Sequence, residues 1–138
     1  MLEHVQPEVR IVTVREFLQS DMRTGEIDLG RTRRLLAAIV NESMQRGVYR
    51  VMIDARGNPT GLSTPDIFEL VADAESLGFT PRHRVAILRV RPEALQRAKY
   101  IGALAGSKGL SVRAFDDYEA ALAFLNETPG PPPTARKA

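Results

Sequence analysis

Apolar residues along this chain recur with two different periods. Four short runs have the length and residue types of β-strands, namely Val9–Val14, Val48–Ile53, Arg84–Val90 and Leu110–Phe115. After each run, apolar residues recur every three or four positions, which predicts an amphipathic helix. These helices are expected to begin near Arg31, Thr64, Pro92 and Asp116. Because strands that alternate with helices are typical of a parallel sheet covered by helices, the pattern predicts one α/β domain with a mainly parallel sheet of four to five strands.

Two of the runs are expected in the interior of the sheet because they are apolar on both faces. Val48–Ile53 is interrupted only by Arg50, and Val85–Leu88 is unbroken, so the second of these predicts the strand at the centre of the sheet. The first strand, Val9–Val14, is expected to run on toward Leu18 before turn residues precede the first helix.

Helix-capping residues mark where several helices should start. Thr64, followed by Pro65, predicts an N-cap with proline at the first helical position. Asp116 and Glu119 have the spacing of a capping box, so the last helix is expected to be capped by Asp116. Asp28 is a candidate cap for the first helix.

The length of 138 residues suits a single domain. All predicted strands and helices lie within residues 1–128. Residues 129–138 are rich in proline and offer no large apolar side chain for burial, so we expect a disordered tail there.

Composition excludes several classes of protein. The chain has no cysteine, which excludes disulfides and thiol chemistry, and no apolar stretch is long enough to span a membrane. No secretory signal is apparent at the N-terminus, so we expect a cytoplasmic protein. The two histidines, His4 and His83, are far apart in sequence and no set of further ligand residues accompanies them, so no metal or cofactor is expected.

The charge does not indicate a nucleic-acid partner. The net charge is only +2 at pH 7. A basic stretch runs from Arg82 to Lys99, but its members fall at both ends of one predicted strand and are not expected to form a single patch.

The candidate functional surface is the edge of the sheet at which the parallel strands end, where ligand sites of such sheets gather. Its candidate residues, for interaction or ligand binding, are Asp54, Arg56, Asn58, Ser63, Thr64 and Asp66. The first three could place a carboxylate, a guanidinium and an amide around one pocket. Since no base or nucleophile accompanies them, a structural role for Asp54 in the following loop is the simpler interpretation.

The chain resembles the bacterial SpoIIAA-like family. The resemblance rests on Arg84–Leu88 and on Val112–Leu125, with Gly25–Asp28 and Val51–Asp54 similar to first-half motifs of STAS domains. It implies a βα superhelical fold related to STAS and CRAL-TRIO domains, which include antagonists of anti-sigma factors and carriers of lipids. It further implies a regulatory role without catalysis.

The chain departs from signalling STAS domains at their phosphorylation motif. Those domains carry Asp-Ser-Ser-Gly or Asp-Ser-Thr-Gly at a helix start, whereas Pro59–Asp66 lacks that order. Ser63 and Thr64 nevertheless precede a helix, where a phosphate would meet free N–H groups. The simpler interpretation is that one of them only caps the helix, and phosphorylation is the alternative.

Three functional hypotheses follow. The favoured one is a non-enzymatic module that binds another protein through the loop and helix from Ala55 to Asp66. The second is a binder of a hydrophobic small molecule or lipid, which requires an apolar cavity beneath the helices. The third, with the least support, is an enzyme that uses Asp54 with an arginine. A homodimer formed through an exposed strand is compatible with each of them.

Overall fold

The protein forms one mixed sheet with helices on both faces. The computed structural model describes residues 3–6, 9–14, 16–22, 28–57 and 62–127, and side chains within 16–21, 28–57 and 62–127. The described strands are β1 (Glu3–Gln6), β2 (Val9–Val14), β3 (Phe17–Met22), β4 (Arg50–Asp54), β5 (Arg84–Leu88) and β6 (Ser111–Phe115). The described helices are α1 (Leu29–Arg46), α2 (Thr64–Ala72), α3 (Ala74–Leu77), α4 (Pro92–Ser107) and α5 (Tyr118–Asn126). Asn58 and the predicted tail, residues 129–138, lie outside the described residues.

The six strands lie side by side in the order of the sequence, β1 to β6. Strands β3, β4, β5 and β6 are parallel to one another, which confirms the predicted α/β class. Strands β4 and β5 are interior, as predicted, but the centre of the whole sheet lies at β3 and β4 because β1 and β2 extend it on the other side.

The N-terminal strands differ from the prediction. Val9–Val14 is antiparallel to both of its neighbours, and the first strand of the parallel part is β3, whose beginning was expected only as a continuation of Val9–Val14 toward Leu18. Val14 pairs directly with Phe17, so the chain reverses there without the Asn-Gly or Asp-Gly signal of a tight hairpin. Strand β3 was not predicted as a separate strand because the polar residues Gln19, Ser20 and Asp21 follow Phe17 and Leu18.

The two faces of the sheet have separate cores. Val51 and Ile53 of β4 belong to the core under the first helix, whereas Met52, between them in sequence, packs on the opposite face against α5. Helices α1 to α4 therefore cover one face, and α5 packs on the other face against β4, β5 and β6.

Two predicted helix caps are shifted by one residue. Ser63, and not Thr64, has the extended backbone of an N-cap, and its hydroxyl accepts a hydrogen bond from the Asp66 N–H. Asp117, and not Asp116, caps α5 by accepting from the Ala120 N–H at 2.9 Å. An N-cap side chain accepts from an N–H two or three residues further along, and only the structure shows which N–H groups are free.

Helix α4 lies unusually close to strand β6. A Cβ atom built on Gly102 would be only 2.7 Å from the carbonyl oxygen of Val112, which is closer than real Cβ contacts. Glycine is therefore required for this approach, which holds α4 over the sheet beside α2.

The parallel strands give the sheet two distinct ends. At the carboxyl end, Asp54 pairs with Leu88, and Leu88 pairs with Phe115, so the segments after β4, β5 and β6 emerge together. At the amino end, the chain enters β4 and β5 at Arg50 and Arg84, which also pair.

Candidate functional site

Asp54 and Arg56 form a bidentate ion pair at the carboxyl end of the sheet. The Arg56 Nε donates to one carboxylate oxygen of Asp54 at 2.9 Å, and its Nη2 donates to the other at 2.8 Å. The backbone N–H of Arg56 donates to the same carboxylate at 3.1 Å. Burial by itself would raise the pKa of Asp54, but the hydrogen bonds and charge of Arg56 outweigh it and hold that pKa below its usual value. Asp54 therefore stays ionised and bound to its own loop, as the structural interpretation predicted.

The Asp54–Arg56 pair also contacts α5. The Arg56 guanidinium lies 5.7 Å from the centre of the Tyr118 ring, and the Tyr118 hydroxyl donates to Gln19 on β3 at 3.2 Å. Asn58, the third residue of the predicted pocket, lies outside the described residues.

Ser63, Thr64 and Asp66 lie together in the first turn of α2. Both hydroxyl-bearing residues are exposed, and the Asp66 side chain lies in the same turn as the free N–H groups at the helix start. Asp66 complements the positive end of the helix dipole. The predicted surface residues with described side chains therefore fall into two groups, the ion pair and this first turn.

An exposed aromatic pair lies beside that turn. Phe68 of α2 is 53% exposed, and its ring meets that of Tyr100 of α4 edge to face, with ring centres 5.7 Å apart. Large apolar side chains in solvent are typical of interaction surfaces when they are contiguous. Phe68 and Tyr100 were not among the residues predicted for the functional surface.

An apolar cavity of about 140 Å³ lies between the sheet and helices α1, α2 and α4. Its walls are mostly aliphatic, and Ala94, Ala98 and Ala105 of α4 contribute small side chains. Two arginines, Arg89 and Arg97, also line it. Burial, together with the charges of Arg91 and Arg97, lowers the pKa of Arg89, but an arginine remains protonated in proteins.

The basic stretch is divided between the two ends of the sheet, as the sequence indicated. Arg89, Arg91 and Arg97 follow β5 at the carboxyl end. At the other end, Arg82 lies 4.2 Å from the centre of the Tyr49 ring, and Arg84 donates to the carbonyl of Phe124 at 2.9 Å. These cations therefore do not form one continuous patch.

His83 is the central residue of a buried network at the amino end. Its Nδ1 accepts from the Thr80 N–H at 3.1 Å, so its Nε2 carries the proton and donates to the Ser43 hydroxyl, also at 3.1 Å. The Ser43 hydroxyl in turn donates to the carbonyl of Val48 at 2.6 Å. His83 therefore has no free ring nitrogen that could accept the proton of the Ser43 hydroxyl. The two residues are not arranged as a nucleophile and its base.

Burial and the nearby charge of Arg82 lower the pKa of His83. The rings of Tyr49 and Phe79 lie edge-on to the imidazole, at 5.0 and 5.2 Å between ring centres. The histidine is therefore held neutral between the end of α1 and the start of β5.

The described residues include no group of three or more His, Cys, Asp or Glu side chains placed to hold a metal ion. Within that part of the chain, no helix combines the length and apolar character needed to cross a membrane.

The fold is that of the anti-sigma factor antagonists. A crystal structure of such an antagonist from Mycobacterium paratuberculosis aligns with 88% of this chain and 98% of its own, with a TM-score of 0.57 and 14% identity. The anti-sigma factor antagonist SpoIIAA in its unphosphorylated form aligns with 83% of this chain and 94% of its own, with a TM-score of 0.48 and 12% identity. The first of these two structures confirms the predicted fold. No family model and no curated protein matches the chain.

Proposed function

We propose that this protein is a non-enzymatic regulatory module that binds another protein. The observation that carries the proposal is the fold, since 98% of an anti-sigma factor antagonist aligns with this chain. A fold alone does not define an activity, so the proposal also depends on a suitable surface.

The surface we propose is the first half of α2 with the adjacent part of α4. It consists of Ser63, Thr64, Asp66, Phe68 and Tyr100, which we call the α2 surface. Phe68 offers an exposed aromatic anchor, and aromatic residues dominate the binding energy of many interfaces. Polar groups of the first turn lie beside it and supply the hydrogen-bonding rim that such interfaces need.

The polar residues elsewhere support a role without catalysis. Asp54 is held by Arg56, and the Nδ1 lone pair of His83 is used by the Thr80 N–H. Neither is therefore free to take a proton from a substrate.

Phosphorylation of Ser63 or Thr64 would regulate this surface. A phosphate on either residue would lie at the positive end of α2 and could accept from its free N–H groups. It would also add negative charge beside Asp66 and next to Phe68, which would change the partner that the surface accepts. Phosphopeptide mapping of the protein from its native cells tests this, and unmodified Ser63 and Thr64 under all growth conditions would contradict it.

The protein-binding proposal is tested by capture from an extract of the native cells. We compare the wild-type chain with Phe68→Ser and with the control Met44→Ser, since Met44 is 60% exposed on α1 and lies outside the α2 surface. A partner retained by the wild type and the control but lost with Phe68→Ser is the expected result. Its affinity for both variants is then measured by calorimetry with the purified partner.

Identical captured proteins and affinities for all three chains would overturn the assignment of the α2 surface. Turnover of a substrate by the purified chain would overturn the non-enzymatic role. We further expect a cytoplasmic location and no binding of nucleic acid. Self-association was predicted through Val9–Val14 or Leu110–Phe115. Val9–Val14 lies inside the sheet, so self-association through β6 stays a prediction, and sedimentation of the purified chain tests it.

A further inference from the structure

We propose that the apolar cavity is a binding site for a small apolar carboxylic acid of about the size of benzoate. This function goes beyond protein binding and uses a different part of the molecule from the α2 surface. The cavity and the charge of its lining carry the inference together.

The size of the cavity limits the ligand. Its volume of about 140 Å³ is close to the ~150 Å³ of a protein cavity that accommodates benzene. The space exists because α4 presents alanines to the sheet at Ala94, Ala98 and Ala105, where larger side chains would fill it. A single ring or a short aliphatic chain therefore fits, whereas a long lipid chain does not.

The lining also defines the charge of the ligand. Arg89 and Arg97 are the arginines of the lining, and the described residues that line the cavity include no aspartate or glutamate. Arg89 is only 5% exposed, so its charge is largely removed from water. It already has an interaction partner, but a guanidinium has five N–H donors and can accept a further carboxylate.

The position of the arginines sets the orientation of the ligand. Arg89 directly follows β5, and Arg97 lies in the second turn of α4, so both are near the carboxyl end of the sheet. Near the amino end the lining consists of the apolar Phe79 and Leu110 and of Thr80, His83 and Ser111, whose side chains are uncharged. The carboxylate is therefore expected at the carboxyl end, with the apolar part between α4 and the sheet.

Calorimetric titration of the full chain with benzoate tests the proposal, with benzamide as the neutral molecule of the same shape. We expect saturable binding of benzoate that is about tenfold or more tighter than binding of benzamide. Arg89→Met should remove this preference and leave benzamide binding unchanged. Arg97→Met provides the same test at an exposed position if the first variant does not fold.

A cavity-filling variant identifies the site. Ala98→Leu places added carbon atoms in the cavity and should abolish binding of both molecules, whereas Ala103→Leu, at an exposed position of the same helix, should leave binding unchanged. Absence of benzoate binding, equal binding of benzoate and benzamide, or unchanged binding by Ala98→Leu would each overturn the proposal.

Discussion

At the amino end of the parallel sheet a histidine and a serine are buried and hydrogen-bonded to each other, whereas at the carboxyl end two hydroxyl-bearing residues and an arginine are exposed. His83 is 2% exposed and Ser43 is fully buried, and each has its hydrogen bonds satisfied within the protein. Ser63, Thr64 and Arg56 are exposed, although two of them make local hydrogen bonds. Similar side chains therefore stabilise the fold at one end and remain accessible to a partner at the other.

The comparison also shows why a serine–histidine contact does not by itself indicate an enzyme. The hydrogen bond between Ser43 and His83 has a suitable length for catalysis. However, the N–H of Thr80 fixes the tautomer in which His83 donates to the serine. The network therefore joins α1, β4 and β5 and performs no proton transfer.

The largest loss of stability is expected from His83→Ala. The change removes the hydrogen bonds of a buried ring and leaves a space between Tyr49 and Phe79, so the free energy of unfolding should fall by about 3 kcal/mol. Urea denaturation measures this difference. A loss no larger than that caused by changes at the carboxyl end would contradict the assignment of a stabilising role to the amino end.

The pH dependence of stability should come from the same histidine. Its pKa is lowered in the folded protein, so the unfolded chain, with a pKa near 6.5, binds a proton more readily. The contribution of His83 is complete above pH 6.5 and is lost as the pH falls below it, until the lower folded-state pKa has been passed. Urea denaturation between about pH 8 and pH 5 measures this change, in a range where most carboxylates stay ionised. The control is His83→Gln, whose stability should vary less with pH, and parallel curves for the two chains would contradict the prediction.

Ser63→Ala, a change at the carboxyl end, should lower the stability less than His83→Ala does. Loss of the cap leaves the Asp66 N–H without its side-chain acceptor, and the free energy of unfolding should fall by about 1 kcal/mol. Thr64→Ala is the matched control, because Thr64 is the first residue of α2 and makes no cap hydrogen bond. Equal losses in thermal or urea unfolding for the two variants would show that the cap is not at Ser63.

Arg56→Gln should have the smallest effect on stability. The Arg56 side chain is 42% exposed, and an ion pair of that kind contributes less than about 1 kcal/mol. The same change should raise the pKa of Asp54, because the charge and side-chain hydrogen bonds of Arg56 lower it. NMR titration of the Asp54 carboxyl carbon measures the pKa, and an unchanged value would contradict the role of Arg56.

Much of the parallel part of the fold could be predicted from the sequence. Apolar runs such as Val85–Leu88 have few alternatives to burial, and helix periodicity locates the covering helices. The candidate surface was also predictable in outline, because parallel strands bring their following loops to one end. Phe68 required the structure, since an aromatic residue at a single helix position can be buried by any neighbouring element.

The sequence by itself determined the class of the fold, three of the four parallel strands and the end of the sheet at which the candidate residues lie, because these depend on local periodicity. Only the tertiary structure decided the pairing of β2 with β3, the tautomer of His83 and the cavity beneath α4. The cavity and the place of His83 depend on atoms from segments distant in sequence, such as Ser43 against His83, and no local pattern encodes such contacts. The β2–β3 hairpin is local, but its turn carries no Asn-Gly or Asp-Gly signal.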